Sequence, residues 1–220
     1  MKNKIKSKPL ANPGFTLIEL LVVIVIIGIL ASLVVSQANK LMADGRKLQV
    51  QTVIKDLRIS IGAYQAEYNR YPINSSLLSG SSGGQDIQQL LTDENSGIVT
   101  ALTAISAGSS GGAGAGTNNL NPKDIKFIDL PIAKNGKFGL ANPTPPYKLV
   151  DLWGMPYVVL LDTNGDKQVN NPDLNNSDPT IAQNTVSPPP KMLPTEVAIY
   201  SWGQDRIPMT KDDVVSWRQK

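Results

Sequence analysis

Gly14-Phe15-Thr16-Leu17-Ile18-Glu19, followed by the apolar run from Leu20 to Val35, decides how this 220-residue chain is read. The run holds no charged residue, and Glu19 stands alone at its threshold. An ionisable side chain beside a membrane-length apolar segment is expensive unless something pairs with it. The carboxylate therefore points to a task, and the task points to an assembly that supplies the partner.

The flanks narrow the choices. Lys2, Lys4, Lys6 and Lys8 precede the run, with no acidic residue among the first 14. A basic stretch before an apolar one is also the pattern of a secretory signal peptide. Here the apolar core, Phe15 to Val35, has 21 residues, more than such a region needs, and Gly14-Phe15 lies before it rather than after. A plain membrane anchor is the other reading. At about 1.5 Å per residue the segment spans about 31 Å, enough for a bilayer core. The lysines would keep the N-terminus cytoplasmic. That reading explains length and orientation but not Glu19.

Gly14 to Glu19 and the apolar run resemble the prepilin cleavage and methylation motif of type IV pilins and type II secretion pseudopilins. The resemblance implies cleavage between Gly14 and Phe15 by a prepilin peptidase, then N-methylation of the Phe15 amine. It implies that Glu19, one helical turn on, neutralises the amine of a neighbouring subunit. In a packed apolar bundle such a pair replaces an unpaired buried charge, whose cost is several kcal/mol or more.

Composition removes other classes. The chain has no Cys and no His. Disulfides, thiolate and imidazole metal sites, and Ser-His or Cys-His catalysis are thereby excluded. No acid–base constellation replaces them, so an enzyme is not indicated. The formal charge of +3 is misleading: removing the four leader lysines from 21 basic residues leaves 17, against 18 acidic. No basic stripe for nucleic acid emerges.

No Pro occurs from Phe15 to Tyr71. Apolar residues recur at Leu41, Leu48, Val53, Ile54, Leu57, Ile61, Tyr64 and Tyr68. Steps of three, four and seven mark one face of a helix. One helix is expected from Phe15 to Tyr68, about 80 Å long, ending before Pro72 because proline disfavours a helical residue ahead of it. The segment from Ala63 to Pro72 resembles the pseudopilin helix end. Ser79–Gly84 and Ser106–Gly116 read as flexible Ser/Gly loops, with Asp86–Leu91 and Ile98–Ile105 as candidate short helices between them. Asp151-Leu152-Trp153-Gly154-Met155-Pro156-Tyr157 resembles the pseudopilin "DPWGxPY" element, with Leu152 in place of Pro. Strands are expected at Val158–Leu161 and Glu196–Trp202, with Trp153 and Trp202 as core residues.

Two acidic stretches are candidates for calcium. Asp162, Asn164, Asp166, Gln168, Asn170 and Asp173 fall at positions 1, 3, 5, 7, 9 and 12 of a twelve-residue loop, the register of EF-hand ligands. Lys167 stands where that turn wants glycine, and Pro172 sits just before position 12. The alternative is a turn between strands, which Asn, Asp and Gly favour anyway. Further on, Ser201 to Asp205 and Asp212 to Trp217 resemble the calcium loop of the major type II pseudopilin. That makes Asp205, Asp212 and Asp213 candidate ligands, helped by backbone carbonyls near Trp202; the alternative is a solvated polar loop. The role of a bound cation would be structural.

The expected fold is α+β and pilin-like: a long N-terminal helix on a small antiparallel sheet, with a variable loop region. The divisions are a leader at 1–14, the helix at 15–71 with 15–35 as membrane span or filament core, a variable region with short helices at 72–150, and a sheet with acidic loops at 151–220. The resemblance is nearest to the major pseudopilin. It implies an inner-membrane protein with its C-terminal domain in the periplasm. Its partners would be other copies of itself, minor pseudopilins, the assembly platform and the prepilin peptidase. Alternatives are a type IV pilus subunit and a membrane-anchored calcium module that never polymerises. Glu19→Ala is expected to leave leader removal largely intact while impairing assembly, checked by following processing and filament or secretion output. Normal output from this variant would overturn the role given to Glu19.

Overall fold

The computed structural model describes residues 14–74, 76–77, 86–103, 120–142, 144–182 and 191–218. Most of the leader and both Ser/Gly loops lie outside the described residues. The chain divides into two compact units, Met1–Gly45 and Arg46–Lys220. One helix, α1 (Leu17–Tyr68), contributes to both.

In the first unit the helix carries its apolar side chains outward. Phe15 is 76% exposed, Leu17 89%, and the large residues from Leu20 to Leu30 between 46% and 58%. The side chains at 33–36 lie outside the described ones. Among the described residues no helix is long and apolar enough to cross a membrane; the described apolar stretch stops at Ser32, short of the span expected from the sequence.

In the second unit α1 packs by Val50, Ile54, Leu57, Ile61 and Tyr64, each no more than 2% exposed. Their spacing of four, three, four and three is that of a single helical stripe. The expected stripe needs correction at its start. Leu41 and Leu48 are exposed; Leu48 stands two residues from Val50, roughly 200° round the helix, so it cannot share the buried face. The helix ends at Tyr68, where Asn69 turns left-handed at φ 52° and its amide still reaches the Gln65 carbonyl at 2.8 Å. Asn is one of the few residues that takes this cap conformation readily.

The sheet is antiparallel, in the order β1 (Ile87–Leu91), β4 (Val158–Leu161), β7 (Val197–Ser201), β8 (Val214–Val215). Two small ladders flank it: β2 (Gly139–Leu140) with β3 (Leu149–Val150), and β5 (Val169–Asn170) with β6 (Met192–Leu193). Short helices α2 (Ile98–Thr103) and α3 (Pro179–Ala182) lie between strands. Val159 pairs with Ile199 and Leu160 with Ala198. Val159, Leu161, Val197 and Ile199 belong to the core that includes the α1 stripe and α2. Val158, Leu160, Ala198 and Tyr200 belong to a second core with Val169, Leu193 and Val215. A sheet covered on both faces explains why β4 and β7 read as unbroken apolar runs rather than alternating ones.

The expected helix at Asp86–Leu91 is a strand instead. It pairs with β4, Ile87 opposite Leu161 and Leu91 opposite Val158, with a register shift between Ile87 and Leu90. Five residues are too few for a helix to nucleate alone, whereas the open side of β4 offers hydrogen bonds at once. The other expected short helix forms as α2, and residues 104–105 lie outside the described ones. The sheet is thus not confined to the last 70 residues. Trp153 packs against the first core and Trp202 against the second.

Leu57→Ala is expected to cost ~2–5 kcal/mol of stability. Ile59→Ala, at a position 59% exposed, should change it by less than about 0.5 kcal/mol. Urea unfolding of the detergent-solubilised chain measures both; equal losses would overturn the assignment of the helix faces.

Candidate functional sites

The N-terminal site is built by the start of α1. Thr16 is its cap. Glu19 accepts from the Thr16 amide and from the Thr16 hydroxyl, both at Oε2 and both at 2.8 Å. In return the Glu19 amide donates to Thr16 Oγ1 at 3.3 Å. This is a reciprocal capping box, in which cap and third helical residue satisfy each other's backbone. Thr16 was not among the expected site residues, although Thr16-Leu17-Ile18-Glu19 carries the T-x-x-E signal for it. Gly14 and Phe15 lie just ahead of the helix, exposed.

The first acidic loop leaves β4 and is wound around Asp162. Its Oδ1 accepts from the Gly165 amide at 2.6 Å and its Oδ2 from the Lys167 amide at 2.7 Å. Asn164 and Asp166 each accept from the amide two residues on, at 2.8 and 2.9 Å. Lys167, flagged in the sequence as the wrong residue for its position, nonetheless takes the left-handed φ of 62° that a glycine would supply. Asp86 joins from the residue before β1, accepting from the amides of Thr163 and Asn164 at 3.2 and 3.4 Å. Burial, then the charges of Asp162 and Asp166, push the Asp86 carboxyl up. Nothing in the sequence near residue 86 signals this contact. Asp173 is engaged elsewhere: Trp217 Nε1 donates to it at 2.7 Å, Arg218 Nε at 2.8 Å, and Arg218 Nη2 completes the fork. Gln168 is exposed, and Asn170 lies in β5.

The second acidic loop connects β7 to β8. Asp212 Oδ2 accepts from the amides of Gln204 and Asp205 at 2.5 and 3.0 Å, and its Oδ1 from the Thr210 hydroxyl at 2.8 Å. Asp213 Oδ2 accepts from the amides of Met209 and Thr210. Asp205 accepts from Ile207 N at 2.8 Å. Gly203 has a φ of +72°, and a Cβ there would fall 2.5 Å from Asp212 Oδ2 and 2.6 Å from its carbonyl oxygen. Only glycine allows the chain to close so tightly on Asp212. Burial pushes the Asp213 carboxyl up to about 6, with Arg218 opposing and Asp212 adding to the shift. For Asp212 burial works the same way, but the amides and the Thr210 hydroxyl outweigh it and leave its carboxyl low.

The donors of this second loop suit a hard divalent cation in kind: three carboxylates and nearby carbonyls, all oxygen. The close backbone approach at Gly203 is taken up by Asp212 itself. Among the described residues, however, no three acidic side chains stand close enough to hold one metal ion. In both loops the carboxylates face backbone amides.

Behind the second loop lies Asp151, fully buried. Its Oδ1 accepts from the amides of Trp153 and Met155 at 2.8 and 2.9 Å, and its Oδ2 from the Ser201 hydroxyl at 2.6 Å. Ser201 Oγ in turn accepts from the Gly203 amide at 3.2 Å. Burial holds the Asp151 carboxyl above its ordinary range, against these hydrogen bonds.

Residues 11–35 match the family model of the prokaryotic N-terminal methylation motif. Over 62 residues, 27% of this chain and 42% of the relative, the chain is 48% identical to the type II secretion system core protein G of Klebsiella pneumoniae. Over a stretch of the same length it is 47% identical to the core protein G of Aeromonas hydrophila, covering 41% of that protein, and 45% identical to that of Pectobacterium carotovorum subsp. carotovorum, covering 38%. The chain thus spans about two fifths of the length of the curated relatives it matches. No solved structure matches it.

The Asp213 carboxyl carries a testable sign. Its value in the fold, about 6, lies above the ordinary 3.8, so the unfolded chain releases this proton first. Stability from this group therefore falls as pH rises from about 4 to about 6, and is level above that. In chelator, Asp213→Asn should flatten this part of the melting-temperature profile relative to the parent chain. Superimposable slopes for the two proteins would overturn the assignment.

Proposed function

We propose that this chain is the structural subunit of a pilin-like filament of the type II secretion kind. The observation that carries the reading is the apolar surface of α1 from Phe15 to Leu30, exposed along its whole described length beside a single capped carboxylate. Water is a poor solvent for such a surface. A membrane covers it before assembly, and the helices of neighbouring copies cover it afterwards. The similarity to core protein G over 62 residues supports the same reading.

In this proposal the subunit sits in the bacterial inner membrane, N-terminus in the cytoplasm and the Arg46–Lys220 unit in the periplasm. Prepilin peptidase cuts between Gly14 and Phe15 and methylates the new amine. That amine lies one turn from Glu19. Both Thr16 contacts fall on Oε2, and a carboxylate has a second oxygen to offer a neighbour's amine. Pairing between copies fixes their axial register. Head-to-tail stacking then builds an open filament rather than a ring, with minor pseudopilins and the inner-membrane platform as further partners. The work is mechanical and non-enzymatic: the growing filament moves folded cargo outward.

Calcium has a structural place in the proposal. Asp205, Asp212 and Asp213, with carbonyls near Trp202, would hold it in the second loop. Asp162, Asn164, Asp166, Gln168 and Asn170 are the donors of the first, while Asp173 stays with Trp217 and Arg218. A bound cation would supply positive charge to crowded carboxylates in a domain that has no disulfide.

Deletion of the gene tests the function. Loss of exoproteins from the medium, with folded cargo trapped in the periplasm, is the expected outcome. Intact secretion with loss of surface filaments or twitching would replace it by a pilus subunit. No change in either would point to the module that never polymerises.

A further inference from the structure

Asn135 and Gly136 close a two-residue hairpin between Lys134 and Lys137. Both take a left-handed φ, 53° and 69°, as an Asn-Gly hairpin turn requires. The two lysines face each other directly and exchange both backbone hydrogen bonds at 3.1 Å. Directly opposed residues of an antiparallel pair send their side chains to the same face, and like charges there are destabilising. Nothing in the chain offsets that cost. All 18 acidic residues lie among the described ones, and the ion pairs they form include neither Lys134 nor Lys137. Both lysines are exposed. Two ammonium groups held side by side at a cost, and left without a counter-charge, suit a partner that brings carboxylates.

The hairpin stands where β4 begins. The Phe138 amide donates to the Asp151 carbonyl at 2.8 Å, and a Cβ on Gly154 would fall 3.3 Å from the Gly136 carbonyl oxygen. The carboxylates of the β7–β8 loop, at the same end of the sheet, already accept from their own loop's amides. The far end of β4 is acidic. Asp162 and Asp166 follow it, and Asp86 and Glu196 precede Ile87 and Val197, which both pair with Leu161. Asp166 and Glu196 are exposed, while Asp86 and Asp162 are buried. None of the four forms an ion pair; Arg58, at this end, donates to the Thr195 hydroxyl at 3.0 Å. Four residues of strand, roughly 13 Å, separate the two ends, so within one copy the lysines and these acids stay apart. We propose that the Lys134–Lys137 hairpin docks on Asp166 and Glu196 of a second copy of this chain, and so orients the Arg46–Lys220 units of neighbouring copies. The proposal rests on the filament reading given above: the helices supply the apolar drive, and the unlike ends of the sheet supply direction. Complementary charge of this kind sets register and rejects wrong pairings more than it adds affinity, and contact between unlike ends is the head-to-tail type that leaves a polymer open.

The test is charge reversal in the full-length chain, read as the yield of filaments sheared from producing cells. Lys134→Glu with Lys137→Glu should lower the yield by about tenfold, at an unchanged melting temperature, because one like-charged pair replaces another. Asp166→Lys with Glu196→Lys should lower it to a similar extent. All four together restore opposite charges across the contact and should return the yield to within about twofold of the parent. Folded variants that keep parent yield, or a fourfold variant that folds without recovery, overturn the docking and leave the filament reading standing. Carbodiimide treatment of parent filaments, which joins amines to carboxylates in contact, gives a check that needs no variant. Lys134 or Lys137 should be joined to Asp166 or Glu196 in the dimer, and dimers without that link overturn the proposal. Parent yield from the lysine variant, with binding to phosphatidylglycerol vesicles lost, would replace the second copy by an anionic lipid surface. If the parent chain forms no filaments, the filament reading and this inference fall together.

Discussion

An apolar helical surface open to solvent is the constraint on which the rest depends. Fully burying a Leu, Ile or Val contributes roughly 1.5–3 kcal/mol, and α1 presents such residues, exposed, from Leu17 to Leu30. The second unit accordingly builds its own interior and uses α1 only from Val50 onward. One continuous helix thus serves two different environments, and the change of pattern along it, from apolar all round to a narrow stripe, follows from that division.

The second unit solves a different problem. It is small, rich in loops and has no disulfide. Its sheet is buried on both faces, so apolar residues do double service along β4 and β7. Its long connections are held by carboxylates that accept from backbone amides: Asp151, Asp162, Asp166, Asp212 and Asp213 each organise a turn. Asp173, gripped by Trp217 and Arg218, ties the excursion after β4 to the C-terminal segment. Carboxylates crowded in this way answer first to local geometry, and any affinity for cations is layered on that structural duty.

Legibility in the sequence followed the range of the interactions. The helix was readable because its period repeats over many turns and Pro72 marks its end. Strands β4 and β7 were readable as dense apolar runs beside an aromatic-rich turn. Strand β1 was not: Ile87-Gln88-Gln89-Leu90-Leu91 has no decisive period, and its state is chosen by the open side of β4 rather than by itself. Val50 was missed, and Leu48 misplaced, because a two-residue choice at the start of the stripe shifts the face by roughly 200°. Thr16 had a local signal. Asp86, Arg218 and the Asp151–Ser201 pair had none, since their partners lie 45 or more residues away.

The register shift in β1 has a consequence for crowding. A sheet's outer strand exposes a row of unpaired amides and carbonyls, a template on which another molecule's strand can grow. In the proposed filament many identical sheets would come together at high local concentration, where mispairing would compete with ordered growth. The irregular β1 breaks the even spacing that such pairing needs, and at the opposite edge β8 offers only two residues. In the proposed filament this would leave growth to the helices and keep the sheets from seeding amyloid-like association.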